Sequence, residues 1–147
     1  MREILFRGKL DERIDEWIEG NLWYDCDYTA HIIGSRYWGE MSKDELLSLE
    51  LISWTVIPET VGQYTGLTDK NGKKIFEGDI CEVTVFTCEG EDKHFLCEVC
   101  FEYSSFIFRD LKRSGLEILF SDIYDFKTDV EVIGNIYDNP ELIRNEV

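Results

Sequence analysis

Apolar and polar positions alternate with a period of two in three stretches of the chain, the pattern of strands that bury one face. From Ile80 to Thr87, Cys81, Val83 and Val85 share one face and Glu82 and Thr84 the other, which Ile80 and Phe86 make partly apolar. The stretch Phe95 to Glu102 alternates more cleanly, with Phe95, Cys97, Val99 and Phe101 on one side and Glu98, Cys100 and Glu102 with Leu96 on the other. Val130 to Tyr137 is apolar on both faces and is interrupted by Gly134, which predicts a bend or bulge. Asn71-Gly72, set between Tyr64/Leu67 and Ile75/Phe76, predicts a hairpin over Thr68 to Lys74. Further strands are expected at Glu3 to Arg7, Glu16 to Tyr24, Tyr28 to Ile33 and Phe106 to Arg109. Two short helices compete with this β pattern. Ser42 with Glu45 forms a capping box ahead of Leu46, Leu47 and Leu49, and Leu116, Leu119, Phe120 and Ile123 recur at helical spacing.

The strands from Ile80 onward, entered through the Glu77-Gly78-Asp79 turn with its acids kept in water, suggest a small, strongly bent sheet of the kind barrels use. The expected class is therefore mainly β, α+β at most. A β-rich region over 1–57, with a short helix near 42–50, is expected to precede a barrel region over 58–147.

At 147 residues there is room for one ordinary domain or a small domain with an extension. With 44% hydrophobic and 14% aromatic residues the chain can build a core, so wholesale disorder is excluded. Charge adds more. The net value of −16 repels phosphate backbones and anionic lipid, so neither direct nucleic-acid binding nor membrane association is expected. Residues 11–50 carry −8 of that total, whereas 51–80 carry only −1. The charged start, Met1 to Arg7, lacks the apolar run of a secretory signal, and no stretch reaches the length of a membrane helix. An odd count of five cysteines points to free thiols, and the expected location is the cytoplasm.

Each motif that hints at chemistry has a plainer reading. Cys97-x-x-Cys100, with Cys81, Cys88 and His94 as further donors, has a metal-like spacing, but residues three apart on a strand face opposite ways. No metal and no cofactor are expected. Asp69, Glu77 and Asp79 are turn residues before they are an acid–base pair, and neither His31 nor His94 accompanies a nucleophile elbow. With no phosphate loop or dinucleotide fingerprint either, no catalytic residue is assigned and no enzyme is expected. The best binding candidate is the strip Gln63, Tyr64, Thr65 and Leu67 leading into Lys70 and Lys73, a candidate docking edge where the charge is least negative. Trp17, Trp23 and Trp38 could in addition pair copies of the chain into a homo-oligomer.

Three blocks occur together: Met1-Arg2-Glu3-Ile4-Leu5-Phe6-Arg7-Gly8-Lys9; Ile57-Pro58-Glu59-Thr60-Val61-Gly62-Gln63-Tyr64-Thr65-Gly66-Leu67-Thr68-Asp69-Lys70-Asn71-Gly72-Lys73-Lys74-Ile75-Phe76-Glu77-Gly78-Asp79-Ile80; and Glu131-Val132-Ile133-Gly134-Asn135-Ile136-Tyr137-Asp138-Asn139-Pro140-Glu141-Leu142. In this order and spacing they resemble the YopX-like family of phage and prophage proteins across nearly the whole chain. The resemblance implies a protein encoded by a phage or an integrated prophage of a Gram-positive bacterium, hence the cytoplasm of a bacterial host cell, and an SH3-like β-barrel in the C-terminal part, and it brings no reaction with it. Residues 36–53 and Cys88 to His94 stand out against the family as an insertion and a long polar loop. The resulting expectation is a non-catalytic protein-interaction module that binds a host or phage protein. The alternative is an acidic mimic of nucleic acid that sequesters a host DNA-binding protein.

Overall fold

The computed structural model describes residues 2–11, 14–34, 53–113, 115–120 and 128–144. The chain divides into two compact units, Met1–Tyr64 and Thr65–Val147.

In the first unit, β1 (Phe6–Asp11), β2 (Ile14–Tyr24), β3 (Ala30–Gly34) and β4 (Ser53–Thr55) are antiparallel neighbours, and the start of β5 (Gly62–Thr68) pairs with β1. The period of two decides which face is buried. Ile18 of β2 joins Ala30, Ile32 and Val56 in a core against which Leu10, Leu22 and Val61 pack half-buried. Val56 also lies against β1, where a Cβ on Gly8 would lie 2.8 Å from Val56 Cβ, so glycine is what lets backbone and side chain approach there. A one-turn 3-10 helix, Pro58–Thr60, is fastened to β1 by Thr60, whose Oγ1 accepts the Lys9 N–H at 2.9 Å and donates to the Ile57 carbonyl at 2.7 Å.

In the second unit, the end of β5 runs through a turn into β6 (Lys74–Phe76). There follow β7 (Asp79–Val85), β8 (Lys93–Glu102), β9 (Ser105–Asp110), β10 (Glu117–Leu119), β11 (Thr128–Asn135) and α1 (Glu141–Arg144). The five-stranded antiparallel sheet has the order β10-β9-β8-β7-β11. Its buried face carries Cys81, Val83, Cys97, Val99, Phe108 and Val130, joined by Ile75 of β6. Phe108 is fully buried and stacks on Phe120, ring centroids 4.2 Å apart. Burying such a ring contributes about 1.5–3 kcal/mol.

Among the described residues neither sheet closes, so the expected SH3-like barrel is not formed. The six-stranded order β4-β3-β2-β1-β5-β6 ends on β4 and β6, and the five-stranded sheet ends on β10 and β11. Closure requires a stagger and tilt that bring the last strand to the first, and here the last pairings are β9 with a three-residue β10 on one side and β7 with β11 on the other. Within the helix expected from Leu116, residues 117–119 form a strand instead. Glu117, Ile118 and Leu119 pair with Arg109, Phe108 and Ile107, and Ile118 alone of the three packs on the core. The Ser42 capping box and Trp38 lie outside the described residues, as do 121–127. The bend expected at Gly134 is present as a register shift between Val132 and Gly134 in the β7–β11 pairing.

Candidate functional site

The sequence-based strip spreads out rather than converging. Tyr64 and Thr65 are buried, and Thr65 Oγ1 donates to the Ile75 carbonyl at 2.8 Å. Leu67 packs half-buried on the core of the second unit. Gln63 is half-buried, while Lys70 and Lys73 are exposed. Lys70 Nζ lies 2.9 Å from Glu131 Oε2, and this carboxylate, first through its hydrogen bond, raises the lysine above its ordinary pKa. Leu67 and Lys70 border a cleft of about 240 Å³ floored by Ile75, Phe108 and Val130. The backbone of β5 is not a free edge, because its start pairs with β1 and its neighbour on the other side is β6.

The turn carboxylates are more deeply embedded than expected. Asp79 is 1% exposed and accepts the Phe76 N–H at 2.8 Å, so it is not kept in water; Gly78 before it adopts φ +87° to make the turn. Asp69 is buried. Burial pushes its pKa up, but the N–H groups of Val132, Lys73 and Asn71 hold the carboxylate below its ordinary value. These hydrogen bonds fasten the two turns.

The thiols divide by burial. Cys81 and Cys97 face each other across β7 and β8 with no exposed surface, Cys100 is half-buried, and Cys26 and Cys88 are exposed. Burial, helped by Asp110, pushes Cys97 up to about 12, and burial with Glu98 pushes Cys100 up to about 11, so both stay protonated. The described residues hold no group of three or more metal-ligating side chains.

What the structure gathers instead is an aromatic tip on the β2–β3 hairpin. Registration places Trp23 opposite His31 and His31 opposite Thr55, so the three side chains share one face of the sheet. Trp23 stacks on the imidazole with centroids 4.4 Å apart and planes at 17°. His31 Nε2 donates to Asp25 Oδ2 at 2.9 Å, and Nδ1 lies 3.3 Å from the Thr55 hydroxyl. Asp25 Oδ1 accepts the N–H groups of Asp27 and Thr29, both at 2.9 Å. The hydrogen bond to His31, then that to Thr29, lowers the Asp25 pKa, so the carboxylate stays charged. Tyr28 takes φ +61°, a conformation L residues rarely hold without support, and its N–H donates to the Asp25 carbonyl at 3.1 Å.

Carboxylate, imidazole and hydroxyl follow the order of a nucleophilic triad. The Asp25 hydrogen bond, the longer Thr55 contact and the Trp23 stack tie three strands and the turn together, with aromatic rings exposed beside them. Tyr28 is 84% exposed, Tyr24 51% and Trp23 40%. Sequence periodicity puts His31 in a strand, and Trp23 enters only with Trp17 and Trp38 as a residue that could pair copies of the chain, so the tip is missed. The available signal was Tyr24-Asp25-Cys26-Asp27-Tyr28, aromatics flanking an Asx-turn sequence between two apolar strands.

Residues 15–144 match the family model described as YopX protein. The chain belongs to the YopX family. It is thus a phage or prophage protein, as the three sequence blocks imply. Among solved structures, protein EF1440 from Enterococcus faecalis is similar to this YopX-family chain, with 25% identity, a TM-score of 0.58 and coverage of 97% of this chain and 99% of that one. No curated protein matches significantly. Among the described residues, no helix is long and apolar enough to cross a membrane, which does not bear on strands.

Proposed function

We propose that this YopX-family chain is a non-catalytic protein-interaction module that docks through the aromatic tip of the β2–β3 hairpin. The observation that carries the reading is the combination of three exposed aromatic rings with a turn fixed by Asp25 and His31. Interfaces concentrate their energy in Trp and Tyr anchors, and an anchor already held in place loses little conformational entropy on binding. Placing a photo-crosslinking benzophenone side chain at Tyr28 of the full chain, expressed in the host cell, should give one reproducible adduct with a protein. The same probe at Tyr103, 83% exposed in the β8–β9 turn, supplies the comparison. Equal adducts at both positions, or none at Tyr28, overturn the proposal.

The alternative, mimicry of nucleic acid, draws support from the −8 carried by residues 11–50. It requires that DNA compete for the same partner and that the complex collapse as salt screens the charges, whereas an aromatic anchor persists.

A further inference from the structure

In the second unit, the start of β8 and the β9–β10 turn border an open depression of about 500 Å³, lined by Asp92, Lys93, His94, Phe95, Arg113 and Leu116. The turn is fixed by its own hydrogen bonds. Asp110 Oδ1 accepts the Lys112 N–H at 2.8 Å, the Leu116 N–H donates to the Arg113 carbonyl at 3.2 Å, and the Leu111 N–H ties the turn to the Leu96 carbonyl of β8 at 2.8 Å. So placed, the Arg113 guanidinium lies 5.7 Å from the centroid of the half-buried Phe95 ring. Lys93, two residues before Phe95, is on the same face of the strand. The His94 ring is engaged elsewhere, its Nδ1 3.1 Å from Thr84 Oγ1 and 3.7 Å from Glu82 Oε1.

The chain has 31 acids for 15 lysines and arginines, and elsewhere in this unit carboxylates take up the cations, Glu131 with Lys70 and Glu102 with Arg109. Here they do not. Among the described residues, Lys93, Arg113 and Asp92 form no ion pair, and Glu89 and Glu91 of the preceding loop do not line the depression. Its walls therefore present two cations against one carboxylate, beside the apolar surfaces of Phe95 and Leu116. A polyanion is repelled by the net charge of −16, and a bare ion would leave most of the volume unfilled. An excess of one positive charge suits a monoanion better than a phosphate monoester, which brings roughly −1.5 to −2. The planar fork of an arginine fits a carboxylate, and a guanidinium already held on a ring loses little rotamer freedom in pairing with one.

We propose that this depression binds a small carboxylate with a flat apolar body, the carboxylate on Arg113 and Lys93 and the body against Phe95 and Leu116. It is independent of docking at the hairpin tip, so either can fail alone. The probe is 2-naphthoate, titrated into the full isotope-labelled chain, where it should shift the amides of residues 92–95, 113, 115 and 116 saturably. Naphthalene-2-carboxamide, which keeps the body without the charge, and acetate, which keeps the charge without the body, should each bind at least about tenfold more weakly. Arg113→Gln and Lys93→Gln should each weaken 2-naphthoate by about three- to tenfold and leave the spectrum away from the depression unchanged. Lys73→Gln, which removes an exposed cation from the β5–β6 turn, should not change the affinity. Equal binding of the carboxamide, undiminished binding to both depression variants, or an equal loss in Lys73→Gln overturns the inference. Tighter binding of 2-naphthyl phosphate than of 2-naphthoate overturns the choice of a carboxylate.

Discussion

Asp25 and Asp69 solve the same local problem with the same geometry. Each accepts the backbone N–H groups two and four residues ahead, at 2.9 Å, and then uses its second oxygen on a more distant group: His31 for Asp25 and the Val132 N–H for Asp69. A charged acceptor in a turn replaces the ladder bonds the chain gives up there. Replacing Asp69 by Ala leaves three N–H donors without this acceptor and is expected to cost about 1.5–3 kcal/mol in denaturant unfolding. Both carboxyls titrate below the ordinary carboxylate value in the folded protein. Their contribution is therefore complete above about pH 4 and is lost as the pH falls through the lower folded values. Stability measured from pH 7 down to 3 should show the difference between wild type and Asp69→Asn shrinking only below about pH 4; a difference that grows on acidification contradicts the assignment. For the thiols, a colorimetric disulfide reagent at pH 8 should label Cys26 and Cys88 quickly, Cys100 slowly, and Cys81 and Cys97 only on unfolding, in line with their burial. The candidate site was hard to read at this scale because it depends on a partnership. Asp25, His31 and Thr55 are ordinary turn and strand residues until registration sets them side by side.

At the scale of elements, the strands were legible wherever one face is buried. Cys81, Val83, Cys97 and Val99 alternate in sequence and lie in one core. Segment 116–120 misleads because Leu116, Leu119 and Phe120 satisfy helical spacing while Glu117, Ile118 and Leu119 equally satisfy a period of two, and only the presence of β9 alongside decides between them. The open ends of the sheets were not legible at all, since alternation fixes which face is buried and is silent on whether the first strand meets the last. Gly134 was legible because glycine inside an apolar strand has few other uses. In the fold, a Cβ there would overlap Asn139 Oδ1 and lie 2.8 Å from Asn139 Cγ and 3.2 Å from Asn139 Cβ, so the clash reaches beyond a flexible tip. Gly134→Ala, and Gly8→Ala beside Val56, are each expected to destabilise by about 1–3 kcal/mol in chemical denaturation, the range for an overpacked site. If either variant matches wild type, the close approach it is named for does not limit that unit.

Over the whole molecule the charges chiefly repel one another. A net charge of −16 on 147 residues loads the folded chain with like charge, which disfavours compaction. The pairs that offset it include Lys70 with the half-exposed Glu131 and Lys9 with the exposed Asp15, and solvent-accessible pairs of that kind contribute little to stability. Added salt weakens attraction and repulsion alike, but the repulsion is summed over many more pairs and so loses more. The thermal midpoint is therefore expected to rise as sodium chloride goes from about 20 mM to about 500 mM, over which the screening length falls well below typical spacings between surface charges. The opposite slope would mean that specific ion pairs outweigh the net field. The same physics separates the two views of binding, because salt that relieves the fold must also weaken any contact made of charge alone. A partner held by aromatic stacking at the hairpin tip should lose part of its affinity as salt rises and keep the rest, and removing the Trp23 ring should eliminate the part that persists.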